Sequence, residues 1–347
     1  MDGDTRGLGS RVGDGMGRPS RRLFALGAGA AVLALLVDRG LRLDVPPPPP
    51  PVPTRRPAPD EALLLSAVVD LDHVVRAETA ALAGPDAGPL VRQLRSVNRE
   101  QLTVLRGRLT NAGVPTAVID AALARGPLPA SSASTPSSSN PSATTSATGT
   151  PTPSRSTAPS APSLPRTSRE LATLLDSIGQ EDWVAASTAT PGTRELLLSA
   201  WSQRLAGAAL LGRDVAVAAP SPVRPAIIER TQPLVYAFQV VAAQSTGSQQ
   251  VTALRTLDAL TRLEIAVAGS TSTTPAGWAL PHPVTTPAEA RRLATETLAA
   301  AVEAGTEIAG PRPSPATLED VARWSADVQA VAADWNVPPT AFPGATA

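Results

Sequence analysis

Apolar positions in the second half of this chain fall at alternating steps of three and four residues. Leu318, Val321, Ser325, Val328, Ala332 and Trp335 keep that spacing near the end, which puts them on one face of a helix. Ile227, Thr231, Leu234, Phe238 and Val241 repeat it earlier. Leu254, Leu257, Thr261, Glu264 and Ala268 repeat it in between, with a carboxylate on the stripe. Start signals agree with the periodicity. Thr286-Pro287-Ala288-Glu289 joins an N-cap threonine to a glutamate three residues on, with proline at the first helical position. Ser314-Pro315 opens the last helix in the same way. Thr167-Ser168-Arg169-Glu170 starts a helix over 168–189, and Pro191 separates it from one over 193–217. No segment alternates long enough to make a strand. The pattern predicts an all-α fold, with helices over 61–83 and 87–112, a short turn at 116–124, the pair just named, and four more helices after residue 221.

Composition sharpens this architecture. Aromatic residues make up only 3% of the chain, so the helices must pack through Ala, Leu and Val at close range. Residues 127–165 are almost wholly Ser, Thr, Pro and Ala, with Arg155 the only charge among them. Such a tract has too little apolar surface to offset its ordering entropy. It predicts a disordered linker over 126–165, of a composition that carries O-glycans in cell-wall settings. Closing a long linker costs only a slowly growing logarithm of its length. The hairpin 60–125 is therefore expected to fold back on the pair 166–220 as one helical bundle, with 221–345 forming a second, four-helix one.

Charge and cysteine content exclude several functions. Basic and acidic residues balance at 30 and 30, so no field for nucleic acid is implied. Every basic residue is arginine, which with the abundant Ala, Gly and Pro fits a high-GC coding bias. No cysteine is present, which excludes disulfides, thiolate metal sites and a lipidated cysteine.

The N-terminus supplies an address. Ser20-Arg21-Arg22-Leu23-Phe24 precedes an uncharged, mostly apolar run from Leu23 to Val37. Paired arginines ahead of a modest apolar stretch resemble a twin-arginine export signal, with Arg21, Arg22 and Phe24 as its targeting residues. They equally fit a membrane anchor whose basic flank stays in the cytoplasm. As a helix the run spans about 22 Å, short of the hydrocarbon core. No small-x-small cleavage site stands where one belongs: Ala28-Gly29-Ala30 is too early, and Val37-Asp38-Arg39 does not fit. Residues 1–45 thus read as a cytoplasmic leader with an anchor or signal. Residues 46–59 read as a spacer, stiffened by Pro46 to Pro51. The expected location is the extracytoplasmic side of the cell membrane, or outside the cell if the signal is removed.

The last four helices resemble a known family. Leu234-Val235-Tyr236-Ala237-Phe238, Trp278-Ala279-Leu280-Pro281-His282-Pro283-Val284 and Ala341-Phe342-Pro343-Gly344 are similar to segments of a ferritin-like domain family of unknown function from high-GC Gram-positive bacteria. The likeness covers about 224–344, and 61–110 and 168–217 look like the helical pairs preceding that domain in longer relatives. The resemblance implies a ferritin-like four-helix bundle on a secreted or tethered protein, and no established activity comes with it.

Metal chemistry in such bundles uses Glu from two helices and Glu-x-x-His from two others. This chain has two histidines and no Glu-x-x-His. Where relatives tend to carry Glu and His it reads Gln232-Pro233, neither an iron ligand. Pro233 is expected to kink its helix, and a pocket at the kink would involve Pro233 and Tyr236. The metal candidates that remain are Asp70 and His73, three apart on one helix face, with Glu78, Glu100 and Glu181. Asp72, Asp176 and Asp182 lie near them, and a local salt bridge with Arg76 is the plainer reading. His282 is expected to fill a packing position in its turn, and Glu264 to pair with Arg262 or Arg292. Trp183, Trp201, Trp324 and Trp335 are expected in the core. No cofactor is expected. The leading expectation is a non-catalytic, membrane-tethered module binding an envelope protein or itself. The alternatives are an atypical metal-binding or oxidoreductase bundle around His73, and an apolar-ligand carrier using the Pro233 kink.

Overall fold

A computed structural model describes residues 55–84, 88–127, 164–214, 220–268 and 277–345. The leader with Arg21, Arg22 and Phe24, the apolar run 23–37, the proline spacer up to residue 54 and linker residues 128–163 all lie outside the described residues. Among the described residues every regular element is helical. They are α1 (Glu61–Ala81), α2 (Pro89–Asn111), α3 (Thr116–Arg125), α4 (Ser168–Leu175), α5 (Gln180–Thr188), α6 (Pro191–Leu210), α7 (Arg224–Gln244), α8 (Gly247–Ala268), α9 (Pro287–Glu303), a 3₁₀ turn (Glu307–Ala309) and α10 (Pro315–Ala333). No described helix is long and apolar enough to cross a membrane.

The start signals act as their chemistry requires. Thr286 Oγ1 accepts the N–H of Glu289 at 3.3 Å, and Glu289 accepts the N–H of Thr286 at 3.0 Å. Those bonds and two from Thr285 hold the exposed Glu289 carboxyl down at about 2. Thr167 and Glu170 form the same reciprocal pair at the start of α4, and Ser314 caps α10 by accepting from Thr317 N–H at 3.1 Å.

One boundary departs from the periodic reading. The helix expected over 168–189 is two helices, broken between Leu175 and Gln180. Gly179 sits in extended backbone and donates its N–H to Asp182 Oδ2 at 2.9 Å, which starts α5 afresh. The predicted helix over 193–217 stops at Leu210, followed by Gly212 in left-handed backbone at φ 85, where glycine carries no Cβ penalty.

α6 is the hub. It packs against α10 most extensively, and also against α2, α4 and α5. Every residue from Leu196 to Ala208 is buried, including Ser199, Ser202, Gln203 and Arg204. A helix buried all round lies inside the fold. Gly207 is the point of closest approach: a Cβ there would come within 3.1 Å of Leu94 and 3.3 Å of Leu175. α7 lies along α8 and α9, and α10 touches α7, α8, α9 and α5 as well as α6. A single hydrophobic cluster therefore runs from Leu64 on α1 through Leu197 and Leu205 to Phe238, Leu298, Trp324 and Phe342. A smaller cluster joins Val74, Leu94, Leu171 and Ala208 where α1, α2, α4 and α6 meet.

The stripes on α7 and α10 are buried at every predicted position. On α8 the predicted row holds at Glu264 and is off by one at its other four positions. Leu254 is 52% exposed, and the buried row is Ala253, Thr256, Leu260, Glu264 and Val267. The buried row wins because the turn after α10 presents an indole to it: Trp335 Nε1 donates to Thr256 Oγ1 at 2.9 Å. Trp324 Nε1 donates likewise to Thr231 Oγ1 on α7 at 2.9 Å. All four helical-region tryptophans are buried, and Trp183 meets Trp201 edge-on at 4.9 Å. Replacing Thr256 by valine keeps the shape but leaves a buried indole N–H without its acceptor. We expect a loss of about 1–3 kcal/mol, read as a lower urea midpoint with unchanged slope. Thr252→Val on the same helix should be near neutral.

After α10 the chain turns back through the core. Ala341 and Phe342 are buried. The Ala341 carbonyl accepts from Gln101 Nε2 at 2.5 Å, and the Pro343 carbonyl accepts from Ser199 Oγ at 2.7 Å. Gly344 follows at φ 71, where any Cβ would collide with the Glu303 carbonyl.

Candidate functional site

The densest group of titratable side chains lies where α1, α2, α4, α5 and α6 converge, around Arg204. Arg204 is only 7% exposed. Its Nε donates to the Leu175 carbonyl at 3.2 Å, and its Nη2 donates to the carbonyls of Leu174 at 3.1 Å and Ser177 at 3.3 Å. The last carbonyls of a helix have no partner within it, so this guanidinium closes the end of α4 and explains why the predicted long helix breaks there. Four carboxyl groups act on the same cation: Asp70, Asp182, Asp176 and Glu78.

Burial sets the protonation of this group. It pushes Asp70 up, with Arg204 opposing and Asp182 adding to the rise. Asp182 is likewise raised by burial, against the Gly179 N–H and Arg204. His73 is lowered, first by burial, then by Arg76 and Arg204. Arg76 itself closes on Asp72 at 2.7 Å rather than on His73.

Glu78 is the extreme case. It is fully buried, and burial raises it to about 8 although Asn98, Arg95 and Arg204 all favour the charged form. Asn98 Nδ2 donates to Glu78 Oε1 at 2.6 Å. Glu78 Oε2 and Asn98 Oδ1 are buried acceptors with no donor from any other group. A carboxylic acid carries one O–H. Raised to about 8, Glu78 favours the neutral acid at pH 7. The void bordering Arg204, Gln101 and Trp201 measures about 10 Å³, which admits nothing larger than a water-sized molecule.

The sequence-predicted metal candidates do not converge. Asp70, His73 and Glu78 lie on α1, but Glu100 and Glu181 are exposed. Among the described residues no three His, Asp or Glu side chains form a group placed to hold a metal ion. Glu264 does not take the expected arginine. It accepts from Gln232 Nε2 at 3.2 Å, while Arg262 pairs with Asp258 and Arg292 with Glu296. His282 packs in its turn with the ring side chain 13% exposed and reaches Glu296 at 3.2 Å. Pro233 lies inside α7. Tyr236, one turn on, stacks obliquely on Trp278 at 5.7 Å, with Gly277 against its ring.

Two features went unread in the sequence. Arg204 is the only charge between Glu195 and Arg213, and a lone charge in a run apolar on every face is the signal for it. Asp327 on α10 is half-buried and raised by burial to about 7, with Arg323 opposing. Arg323 in turn bonds Glu319 at 3.0 Å and stands 3.6 Å from Asp176 at the end of α4. No family model, curated protein or solved structure matches this chain.

Proposed function

We infer that this chain is a non-catalytic helical module of the cell envelope. It would be tethered through residues 23–37 on the extracytoplasmic side of the cytoplasmic membrane and would bind or scaffold an envelope partner. Arg204 carries the reading. A dinuclear metal centre needs carboxylates and imidazoles converging on a position no other cation holds. Here a guanidinium already supplies a positive charge that acts on Asp70, Asp182, Asp176 and, when ionised, Glu78. Its Nε and Nη2 are committed to the backbone of α4 and the turn after it. A cation fixed in that place is a structural counter-charge and disfavours a second, metallic one by Coulomb repulsion. The four helices after residue 221 belong to this proposal as a ferritin-like bundle in which Gln232 and Pro233 stand where metal ligands would be expected. The tether rests on Arg21, Arg22 and Phe24, the apolar run and the Pro46–Pro51 spacer.

Expression of the full chain in a bacterial host tests the reading. The chain should sediment with membranes and be degraded by protease added outside spheroplasts. It should also cross-link in whole cells to a reproducible envelope protein. Purified without chelator, it should carry far less than one metal ion per chain. A stoichiometric transition metal retained through purification would overturn the non-catalytic reading, and a cytosolic location would overturn the tether.

A further inference from the structure

Among the described residues, three of the five large apolar side chains that stand exposed sit on one helix: Val251, Leu254 and Ile265 on α8, at 49%, 52% and 57%. At about 100° per residue they occupy a sector about 60° wide, opposite the row that α8 buries against the bundle. Asp258, Arg262 and the exposed Arg255 share this outer face, with Asp258 and Arg262 bridged at 3.1 Å and their side chains 65% and 73% exposed. Apolar surface left in water forgoes about 25 cal/mol per Å², and an exposed pair of charges adds little by itself. Neither feature is accounted for by packing within the molecule.

The face reads nearly the same from either end. Leu254 lies as far before a midpoint near Leu260 as Ile265 lies beyond it, and Asp258 and Arg262 straddle that midpoint with opposite charges. A surface of this kind is complementary to its own copy under a two-fold axis, the arrangement closed dimers use.

We propose that α8 is a self-association face. Two copies of the chain pair α8 against α8 in antiparallel sense about an axis near Leu260. Leu254 of each meets Ile265 of the partner subunit, and Asp258 of each meets Arg262 of the partner subunit. A parallel pairing in register would set Asp258 against Asp258 and Arg262 against Arg262, so the charges select the antiparallel form. The helix is 22 residues long, and one helix pair buries less than the roughly 800 Å² per partner of a stable standard interface. The equilibrium is therefore concentration-dependent, and confinement to a surface strengthens it through effective concentration. The pairing stands independently of the envelope role inferred above.

The chain contains no cysteine, so single introduced thiols report the register without background. Full-length Leu254→Cys and Ile265→Cys proteins are oxidised separately and as an equimolar mixture, alongside light scattering over a concentration series. The mixture should form disulfide-linked dimers at least tenfold faster than either protein alone. Identical positions lie about 16 Å apart along the antiparallel pair, beyond disulfide reach. Asp258→Arg should weaken dimerisation at least tenfold, and Asp258→Arg with Arg262→Asp should restore it. Monomers at every concentration with no cross-linking would overturn the proposal. So would Leu254→Cys alone linking as fast as the mixture, or failure of the double reversal to rescue.

Discussion

Arg204→Ala is expected to destabilise the protein by about 3–5 kcal/mol, the cost of removing one member of a buried charge group. Two losses combine. The carbonyls of Leu174, Leu175 and Ser177 lose their donor in a region where Leu175 is fully buried. Asp70, Asp182 and Asp176 lose a cation that acts on all three at the same time. Arg204→Met separates charge from volume. If methionine restores wild-type stability in urea unfolding, the guanidinium has no structural role and the reading of this site fails. A second readout is independent of unfolding. Arg204 helps hold His73 down, so NMR titration of His73 should show its pKa rise in Arg204→Met.

The second large effect is on pH dependence. Glu78 is raised from 4.5 to about 8 in the folded protein. The folded state holds this proton more tightly than the unfolded chain does. Its stabilising contribution is thus full below pH 4.5 and is lost as pH rises through 8. The slope is at most about 1.4 kcal/mol per pH unit. Asp70, Asp182 and Asp327 are raised as well and slope the same way. His73, being lowered, slopes the other way, losing stability as pH falls through its usual range. Glu78→Gln substitutes a neutral amide of similar shape whose carbonyl can still accept from Asn98 and which does not ionise. The variant should lose about one proton's share of the decline in melting temperature between pH 5 and 9. At pH 9 it should be more stable than the wild type by several kcal/mol. Identical pH profiles for the two proteins would show that Glu78 is ionised in the fold.

The helical pattern was legible because it is periodic and local. Caps at Thr167, Thr286 and Ser314 need only residues three apart, and the stripes on α7 and α10 need only the pitch of a helix. What escaped depends on partners distant in sequence. The break at Gly179 was hidden because its cause, Arg204, lies on the next helix but one. Apart from Glu264, the row on α8 slipped by one position because a threonine that receives Trp335 outranks a leucine that has no pocket. The candidate site was half legible. Asp70, His73 and Glu78 could be placed on one helix from their spacing, but only the fold reveals that an arginine stands among them. Nothing in the sequence separates a carboxylate from a carboxylic acid. That distinction is made by burial, which outweighs the pull of the Asn98 amide toward the charged form.

The passage of Ala341 and Phe342 through the core has a consequence for biosynthesis. Gln101 waits for a carbonyl 240 positions further along the chain. At about 5–20 residues per second, the ribosome takes on the order of 10–50 s to deliver it. Until α6 at Pro191–Leu210 has been made, α1 and α2 lack the helix that covers them, and for the whole interval they lack the turn that locks them. Leu64, Val68, Leu105 and Leu109 are then unshielded. Contacts this non-local slow folding, so the nascent hairpin is the stage at which a chaperone or an export factor would meet this protein.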